Sequence, residues 1–211
     1  MIPMPTCRLP DMFSHDVASV RRAHRRIAGF SLLELMVALA VLGILSTIAY
    51  PSMRDFLRRN RAVAQSNSIR SDLQFARGQA ATTRSYISIC PLAASGGTTC
   101  AAGKSYDEGW LVYVAAAPNK AYAAGDELQR EVAAPTGTSI RTSVAGVLTF
   151  NSRGELLVGG TPTSASVIIC AKTLDADTVG TSTAAVPGIR LELASSGRAA
   201  STKLAPGATC Q

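Results

Sequence analysis

The stretch FSLLELMVALAVLGILSTIAY, residues 30 to 50, decides the fold of this chain. It holds 21 residues and a single charge, the carboxylate of Glu34. A helix of this length rises about 31 Å, at about 1.5 Å per residue, which matches a hydrocarbon core of roughly 30 Å. The pattern therefore predicts a membrane-spanning helix over residues 30–50.

A basic run at residues 21–26, RRAHRR, precedes this stretch. It fits either the n-region of a cleaved secretory signal or the anchor of a spanning helix. The apolar run is longer than the h-region of about 7 to 15 residues in a secretory signal, and Glu34 near its start is atypical of one. The charge distribution does not decide the orientation of the helix, because four arginines follow it about as closely as the basic run precedes it. They are Arg54, Arg58, Arg59 and Arg61.

Glu34 is the feature of the apolar run that most needs a partner. A charged side chain costs about 2.5 to 3.5 kcal/mol at the centre of a membrane helix and somewhat less near its end, so Glu34 predicts a nearby cation. Gly29, Phe30 and Glu34, followed by the apolar run and Pro51, resemble the class III signal of type IV prepilins and type II secretion pseudopilins.

The resemblance implies a processing step and two assembly residues. Prepilin peptidase would cleave between Gly29 and Phe30 on the cytoplasmic face and methylate the new Phe30 amine. Glu34 would then pair with the Phe30 amine of a neighbouring subunit in low dielectric and set the stagger between packed helices. Pro51 should kink the helix as it leaves the bilayer, because proline removes one helical hydrogen bond.

The resemblance also implies where the chain resides and what it meets. The leader, residues 1–29, would stay inside, with a start at Met12 as the alternative to Met1. The mature protein would cross the inner membrane once, with its C-terminal domain in the periplasm, and be exported into a pilus or pseudopilus. Its implied partners are prepilin peptidase, other major and minor pilins or pseudopilins, and inner-membrane lipid.

The residues after Pro51 predict a second helical half followed by β-structure. Apolar residues recur at helical spacing from residue 52 to about Arg84, as in an amphipathic helix that faces a globular domain. Eight short β-rich runs then alternate with Gly, Pro, Ser and Thr clusters, which predicts an antiparallel sheet assembly. The helical stripe is Ala62, Ile69, Leu73, Ala76 and Ala80, and the runs are residues 86–90, 110–115, 128–133, 139–142, 147–151, 155–158, 166–171 and 188–193.

The predicted fold class is therefore α+β: a long N-terminal helix, half transmembrane and half amphipathic, packed on an antiparallel β-sheet domain. Three stretches resemble the GspH/FimT domain of minor pilins and minor pseudopilins: LQFAR at 73–77, VLTFNSRG at 147–154, and Gly197-Arg198. The resemblance implies the pilin fold and four segments. These are a leader over 1–29, a transmembrane and assembly helix over 30–50, its amphipathic second half over 51–84, and a periplasmic β-rich domain over 85–211.

The cysteines fit an oxidising compartment. Cys7 would leave with the leader, and four remain: Cys90, Cys100, Cys170 and Cys210. An even number in a periplasmic domain favours disulfides, and three connectivities are possible. We favour Cys90 with Cys100, which closes a short Gly/Thr-rich loop, and Cys170 with Cys210. A zinc site of all four is the alternative, opposed by the lack of any C-x-x-C pair and by periplasmic oxidation.

Enzymatic function has little support in the sequence. Both histidines, His15 and His24, lie in the predicted leader, so the mature chain lacks the residue of Ser/His/Asp and Cys/His catalysis and of histidine-bound zinc. The stretch at 97–105 resembles a phosphate-binding loop but has Thr98 where that motif needs glycine. The run at 175–180 imitates a calcium loop but lacks its later ligands. We therefore expect no catalytic residue, metal or cofactor.

Two functional hypotheses remain, and the first is structural. It is a minor pilin or pseudopilin that assembles into, or primes, a type IV pilus or a type II secretion pseudopilus. The alternative is a minor pilin of the FimT type that binds double-stranded DNA during natural transformation. That resemblance rests on a Gly-Arg-x-Arg motif, of which Gly197 and Arg198 are present, whereas Ala200 stands at the second arginine. Lys203 is the next cation, and fewer cations mean weaker phosphate binding.

Arginines at Arg70, Arg77 and Arg84 recur every seven residues on one helix face. Such a stripe can contact nucleic acid, but a solvated helix flank is the more common explanation for this spacing. We favour the flank.

Overall fold

The computed structural model describes residues 30–211, so the predicted leader, with Gly29, lies outside the described residues. The described chain begins with one α-helix, α1 (Leu32–Thr83), and continues as β-structure. It divides into a unit that ends at Ile44 and a unit formed by Leu45–Gln211. The long N-terminal helix and the antiparallel β-sheets of the second unit confirm the α+β prediction.

Helix α1 contains Pro51 and bends just before it, between Thr47 and Ala49. Within residues 30–211, no single straight helix is long and apolar enough to cross a membrane, whereas the bent pair Leu32–Thr47 and Ala49–Thr83 meets that test by length and composition. Pro51 has no N–H to donate to the carbonyl of Thr47, one turn earlier, and its ring crowds that turn. The position of the bend is therefore the one expected from this proline.

Ten strands follow the helix and form two sheets. The six-stranded sheet has the order β3-β2-β1-β5-β6-β7, and the four-stranded sheet has the order β10-β9-β8-β4. Every strand pair is antiparallel. The strands are β1 (Tyr86–Pro91), β2 (Gly109–Ala115), β3 (Leu128–Ala133), β4 (Thr138–Thr142), β5 (Leu148–Phe150), β6 (Leu156–Val158), β7 (Thr161–Pro162), β8 (Ala165–Ala171), β9 (Ile189–Leu193) and β10 (Ala199–Lys203).

The sequence missed β7 and β10, and it did not separate the two sheets. Strand β7 has two residues, too few for any alternation to be visible. Strand β10 reads AASTK, with one β-branched residue and no aromatic one, so its composition does not signal a strand. It forms because five backbone positions pair with β9, from Ala199 opposite Leu193 to Lys203 opposite Ile189.

The main core lies between the second half of α1 and the two sheets. All five residues of the predicted stripe are buried, which confirms that this face of the helix packs on the domain. Ile69 and Leu73 fill volume, while Ala76 and Ala80 have small side chains that let the helix backbone come close to the strands. The largest side chains packed against them from the domain are Tyr106, Trp110 and Phe150.

A buried carboxylate fixes the helix on this core. Asp72 is 4% exposed and lies on α1 beside the stripe. One of its oxygens accepts a hydrogen bond from the indole N–H of Trp110 on β2 at 2.8 Å, and the other accepts one from Arg130 on β3 at 2.7 Å. The Arg130 guanidinium also lies 3.8 Å over the ring of Phe75, which belongs to the next turn of α1.

We expect Asp72→Ala to lower the free energy of unfolding by about 2 to 3 kcal/mol, because the buried indole N–H loses its acceptor and Arg130 loses its counter-charge. The loss of stability is smaller than for a fully buried ion pair, because the Arg130 side chain is 40% exposed and its charge can be hydrated in the variant. Fluorescence of Trp110, the single tryptophan, reports the urea transition directly. Glu131→Ala, on the same strand as Arg130 but exposed, is the control and should change stability by less than about 0.5 kcal/mol. Equal effects of the two substitutions would contradict the role given to Asp72.

Candidate functional site

The N-terminus of α1 is the first candidate site, because it contains the predicted processing and assembly residues. Ser31 caps the helix: its Oγ accepts the N–H of Glu34 at 3.1 Å, and its carbonyl accepts the N–H of Leu35 at 3.1 Å. Glu34 thus occupies the third helical position, where a carboxylate interacts favourably with the helix dipole. No ion pair of Glu34 occurs within residues 30–211, so a cationic partner for it would have to come from elsewhere.

Residues 30–44 present apolar surface on all sides of the helix. Ten apolar side chains are each more than half exposed, and they include Phe30, which is 81% exposed. A helix that is apolar around its whole circumference is stable only when lipid or other helices cover it. The ten are Phe30, Leu32, Leu33, Leu35, Met36, Val37, Leu39, Val41, Leu42 and Ile44.

The structure contains both disulfides in the favoured connectivity. Cys90, at the end of β1, is bonded to Cys100, with their Cα atoms 5.6 Å apart. Cys170, on β8, is bonded to Cys210, with a Cα separation of 6.1 Å. The second bond ties the penultimate residue of the chain to a buried strand, so the C-terminal segment is held to the four-stranded sheet.

Two turns meet at Arg77, in the part of the domain whose sequence resembles GspH/FimT proteins. In the first turn Gly154 N–H donates to the carbonyl of Asn151 at 2.8 Å, and in the second Gly197 N–H donates to the carbonyl of Ala194 at 2.8 Å. Both glycines have positive φ, +72° and +76°. Arg77 Nε donates to the carbonyl of Gly154 at 3.2 Å, which fastens the first turn to α1.

Gly154 and Gly197 are required at this junction for two reasons: their positive φ, and the lack of room for a β-carbon. A β-carbon on Gly154 would lie 3.1 Å from Nε of Arg77. A β-carbon on Gly197 would overlap the carbonyl oxygen of Gly154 and lie 2.9 Å from Cδ of Arg77. The three stretches behind the resemblance are therefore parts of one junction. Arg77 is half-buried and has a structural hydrogen bond, so it is not part of a solvated helix flank; of the three spaced arginines only Arg84 is exposed.

Arg198 and Lys203 do not converge on one surface. They are five positions apart along an extended segment, so the alternation of a strand directs them to opposite faces. Arg198 lines a cavity of about 370 Å³ together with Glu192, whereas Lys203 lines a separate cavity of about 280 Å³ together with Arg59. The phosphate clamp considered for these two residues therefore has no support from their geometry. Gly197 lies in the turn between β9 and β10.

The described residues offer little to catalysis. No group of three or more histidine, cysteine, aspartate or glutamate side chains in residues 30–211 is arranged to hold a metal ion. Asp107 accepts the N–H of Ile140 at 2.8 Å and pairs with Arg141 at 2.6 Å, so its charge supports the fold. Burial raises the pKa of Tyr106 and of Tyr113 far above neutrality, which leaves both phenols protonated.

Sequence comparison assigns two regions of the chain. Residues 65–197 match the family described as type II transport protein GspH. Residues 24–50 match the prokaryotic N-terminal methylation motif. No curated protein sequence matches the chain significantly.

Solved structures with a similar fold include two bacterial minor subunits. The type IV minor pilin FimU of Pseudomonas aeruginosa superposes with a TM-score of 0.50 at 21% identity, over 74% of this chain and 96% of FimU. The minor pseudopilin EpsH of the Vibrio cholerae type 2 secretion system superposes with a TM-score of 0.42 at 13% identity, over 70% of this chain and 99% of EpsH. At these identities the likeness concerns the fold.

We expect Gly197→Ala to destabilise the protein by about 2 to 4 kcal/mol, because it adds both backbone strain at positive φ and an overlap with the Gly154 carbonyl. Gly207→Ala is the matched control: Gly207 has φ of +78°, but a β-carbon there meets nothing within 4 Å. The control should cost only the strain, about 1 kcal/mol. Urea unfolding of both variants measures the difference, and equal costs would mean that the contact at Arg77 is not tight.

Proposed function

The chain belongs to the GspH family of type II transport proteins, and from that premise we propose that it is a non-catalytic subunit that assembles into, or primes, a type IV pilus or a type II secretion pseudopilus. The observation that carries the proposal is the methylation motif at residues 24–50, because it coincides with a helix whose apolar side chains are largely exposed among residues 30–211 and need cover. A filament provides that cover by packing such helices together.

We propose that the subunit exists in two successive states, one in the membrane and one in the filament. Residues 30–50 first hold it in the inner membrane as a single span with the β-rich domain in the periplasm. Prepilin peptidase then removes residues 1–29 and methylates the Phe30 amine, and neighbouring pilins or pseudopilins replace the lipid around the helix. In the assembled state Glu34 pairs with the Phe30 amine of a neighbour, which neutralises both charges in a medium of low dielectric.

The proposal covers both filament types. Relatives by fold come from a type IV pilus and from a type 2 secretion system, and the residues of this chain do not select between them. Copurification of the membrane-extracted subunit with either pilins or secretion components separates the two roles.

DNA binding is not proposed, because Ala200 interrupts the motif and Arg198 and Lys203 line different cavities.

We predict cleavage after Gly29. The intact mass of the membrane-extracted protein should equal that of residues 30–211 with one methyl group in place of an amine hydrogen, less the four hydrogens lost in two disulfides. Peptidase-deficient cells supply the control and should yield the uncleaved mass. A mature protein that retains any leader residue would contradict the processing proposal.

We predict that Glu34→Gln leaves membrane insertion and cleavage intact but lowers incorporation into sheared filaments several-fold. The neutral side chain no longer pairs with a neighbour's amine, while insertion itself becomes cheaper. Ser31→Ala is the matched control, because it removes the helix cap at the same end of α1 and keeps the carboxylate.

The ratio of filament to membrane pool decides this prediction. If Ser31→Ala lowers incorporation as much as Glu34→Gln, the effect comes from fraying of the helix. If neither substitution lowers it, the ion pair proposed for Glu34 has no role in assembly.

A further inference from the structure

A cationic cavity lies beside α1 just beyond the apolar run. Arg54, Arg58 and Arg61 recur along one face of the helix and line it, and Lys172 closes it from the loop after β8. The cavity has a volume of about 290 Å³. Leu57 and Leu174 supply its apolar wall, and both are largely exposed.

The inner edge of this cavity is rigid. Arg58 donates from Nε to the carbonyl of Lys172 at 3.1 Å and from Nη2 to Oγ1 of Thr173 at 3.2 Å, which fastens α1 to the loop. Lys172 is 14% exposed at its side chain, with Nζ 3.9 Å from Asp107. Two cations are thus held in place by contacts within the domain before any ligand arrives.

The outer edge carries charge without a counter-charge. Arg54 and Arg61 are exposed and form no ion pair with any of residues 30–211. Asp175 is the one acidic residue in the lining. The nearby Asp55 forms an ion pair with Arg58 at 3.4 Å. Because Arg58 pairs with Asp55 and Lys172 lies near Asp107, Arg54 and Arg61 supply the excess positive charge. This excess favours a compact anion, and arginine matches the geometry of phosphate oxygens.

The position on the helix points to a lipid as the source of that anion. Arg54 follows Tyr50, the last residue of the apolar run, by about 6 Å of helix, which is the thickness of a headgroup layer. The Arg54 guanidinium carbon lies 5.8 Å from the ring centre of Tyr50, and tyrosine is typical of the membrane interface. Helical side chains tilt toward the N-terminus, so the Arg54 side chain reaches back toward the apolar run.

We propose that Arg54, Arg58, Arg61 and Lys172 bind the phosphate group of an anionic phospholipid in the outer leaflet of the inner membrane. The proposal rests on the proposed function in one respect, the insertion of residues 30–50. Arg58 and Lys172 form the fixed floor of the site, Arg54 and Arg61 close over the phosphate, and Leu57 and Leu174 contact the glycerol end of the lipid. Such a contact holds the β-rich domain close to the bilayer surface until the subunit enters a filament.

The test measures lipid affinity of the full mature protein in detergent by native mass spectrometry. The probes are phosphatidylglycerol, phosphatidylethanolamine and inorganic phosphate. The parent should bind phosphatidylglycerol at least fivefold more tightly than phosphatidylethanolamine. The double variant Arg54→Gln and Arg61→Gln should lose roughly 25-fold in affinity for phosphatidylglycerol, at about fivefold for each arginine near an anionic surface.

The matched control is the double variant Arg84→Gln and Arg198→Gln, which removes the same charge from two exposed arginines outside the cavity. It should bind phosphatidylglycerol as the parent does. An equal loss in this control, no preference of the parent for the anionic lipid, or displacement of the lipid by millimolar inorganic phosphate would each overturn the proposal.

Failure of this inference is distinguishable from failure of the proposed function. If the protein has the cleaved and methylated mass and enters filaments but shows no lipid preference, only the proposed phosphate site is contradicted. A protein that is not cleaved or not inserted undermines both.

Discussion

The buried carboxylate of Asp72 determines how α1 lies on the domain. Among residues 30–211 it is the one charged residue that is almost fully buried, and its two oxygens are used by Trp110 and Arg130. A shift of α1 by one residue would rotate the helix by about 100° and leave this charge without partners in the core. The hydrophobic stripe alone tolerates small slips, since apolar contacts have no direction. The ion pair and the indole hydrogen bond supply that direction.

The rotation of α1 in turn positions the other features of the second unit. Arg77 lies five residues after Asp72, and with the helix fixed it reaches the turn at Gly154. Arg58 lies four turns before Asp72 and reaches the loop after β8. The helix therefore touches one sheet at Asp72, the two glycine turns at Arg77 and the far loop at Arg58. These polar contacts, each between α1 and a different part of the domain, make its position unique.

Sequence reasoning recovered the features that are local or periodic. The helix, its buried stripe and eight of the ten strands follow from spacing and composition, and the methylation motif at 24–50 was recognisable from Gly29, Phe30 and Glu34. It missed β10, because pairing with β9 and not side-chain propensity makes AASTK a strand. It also missed Asp72, since a lone aspartate in a helix gives no sign that a tryptophan 38 positions later will donate to it. Contacts between distant residues carry no periodic signal.

The arginines illustrate why composition was a poor guide to function. Sequence alone treats each as an equivalent positive charge, and it suggested Arg198 with Lys203 as a pair because they are close in the chain. In the fold, Arg77 is anchored to a carbonyl, and strand alternation separates Arg198 from Lys203. Arg58 joins Lys172, more than 100 residues away, because both belong to one wall of a cavity. Cations act together only when rigid backbone holds them on the same face. The cavity beside α1 is therefore a stronger candidate for an anion site than the C-terminal motif from which the DNA hypothesis began.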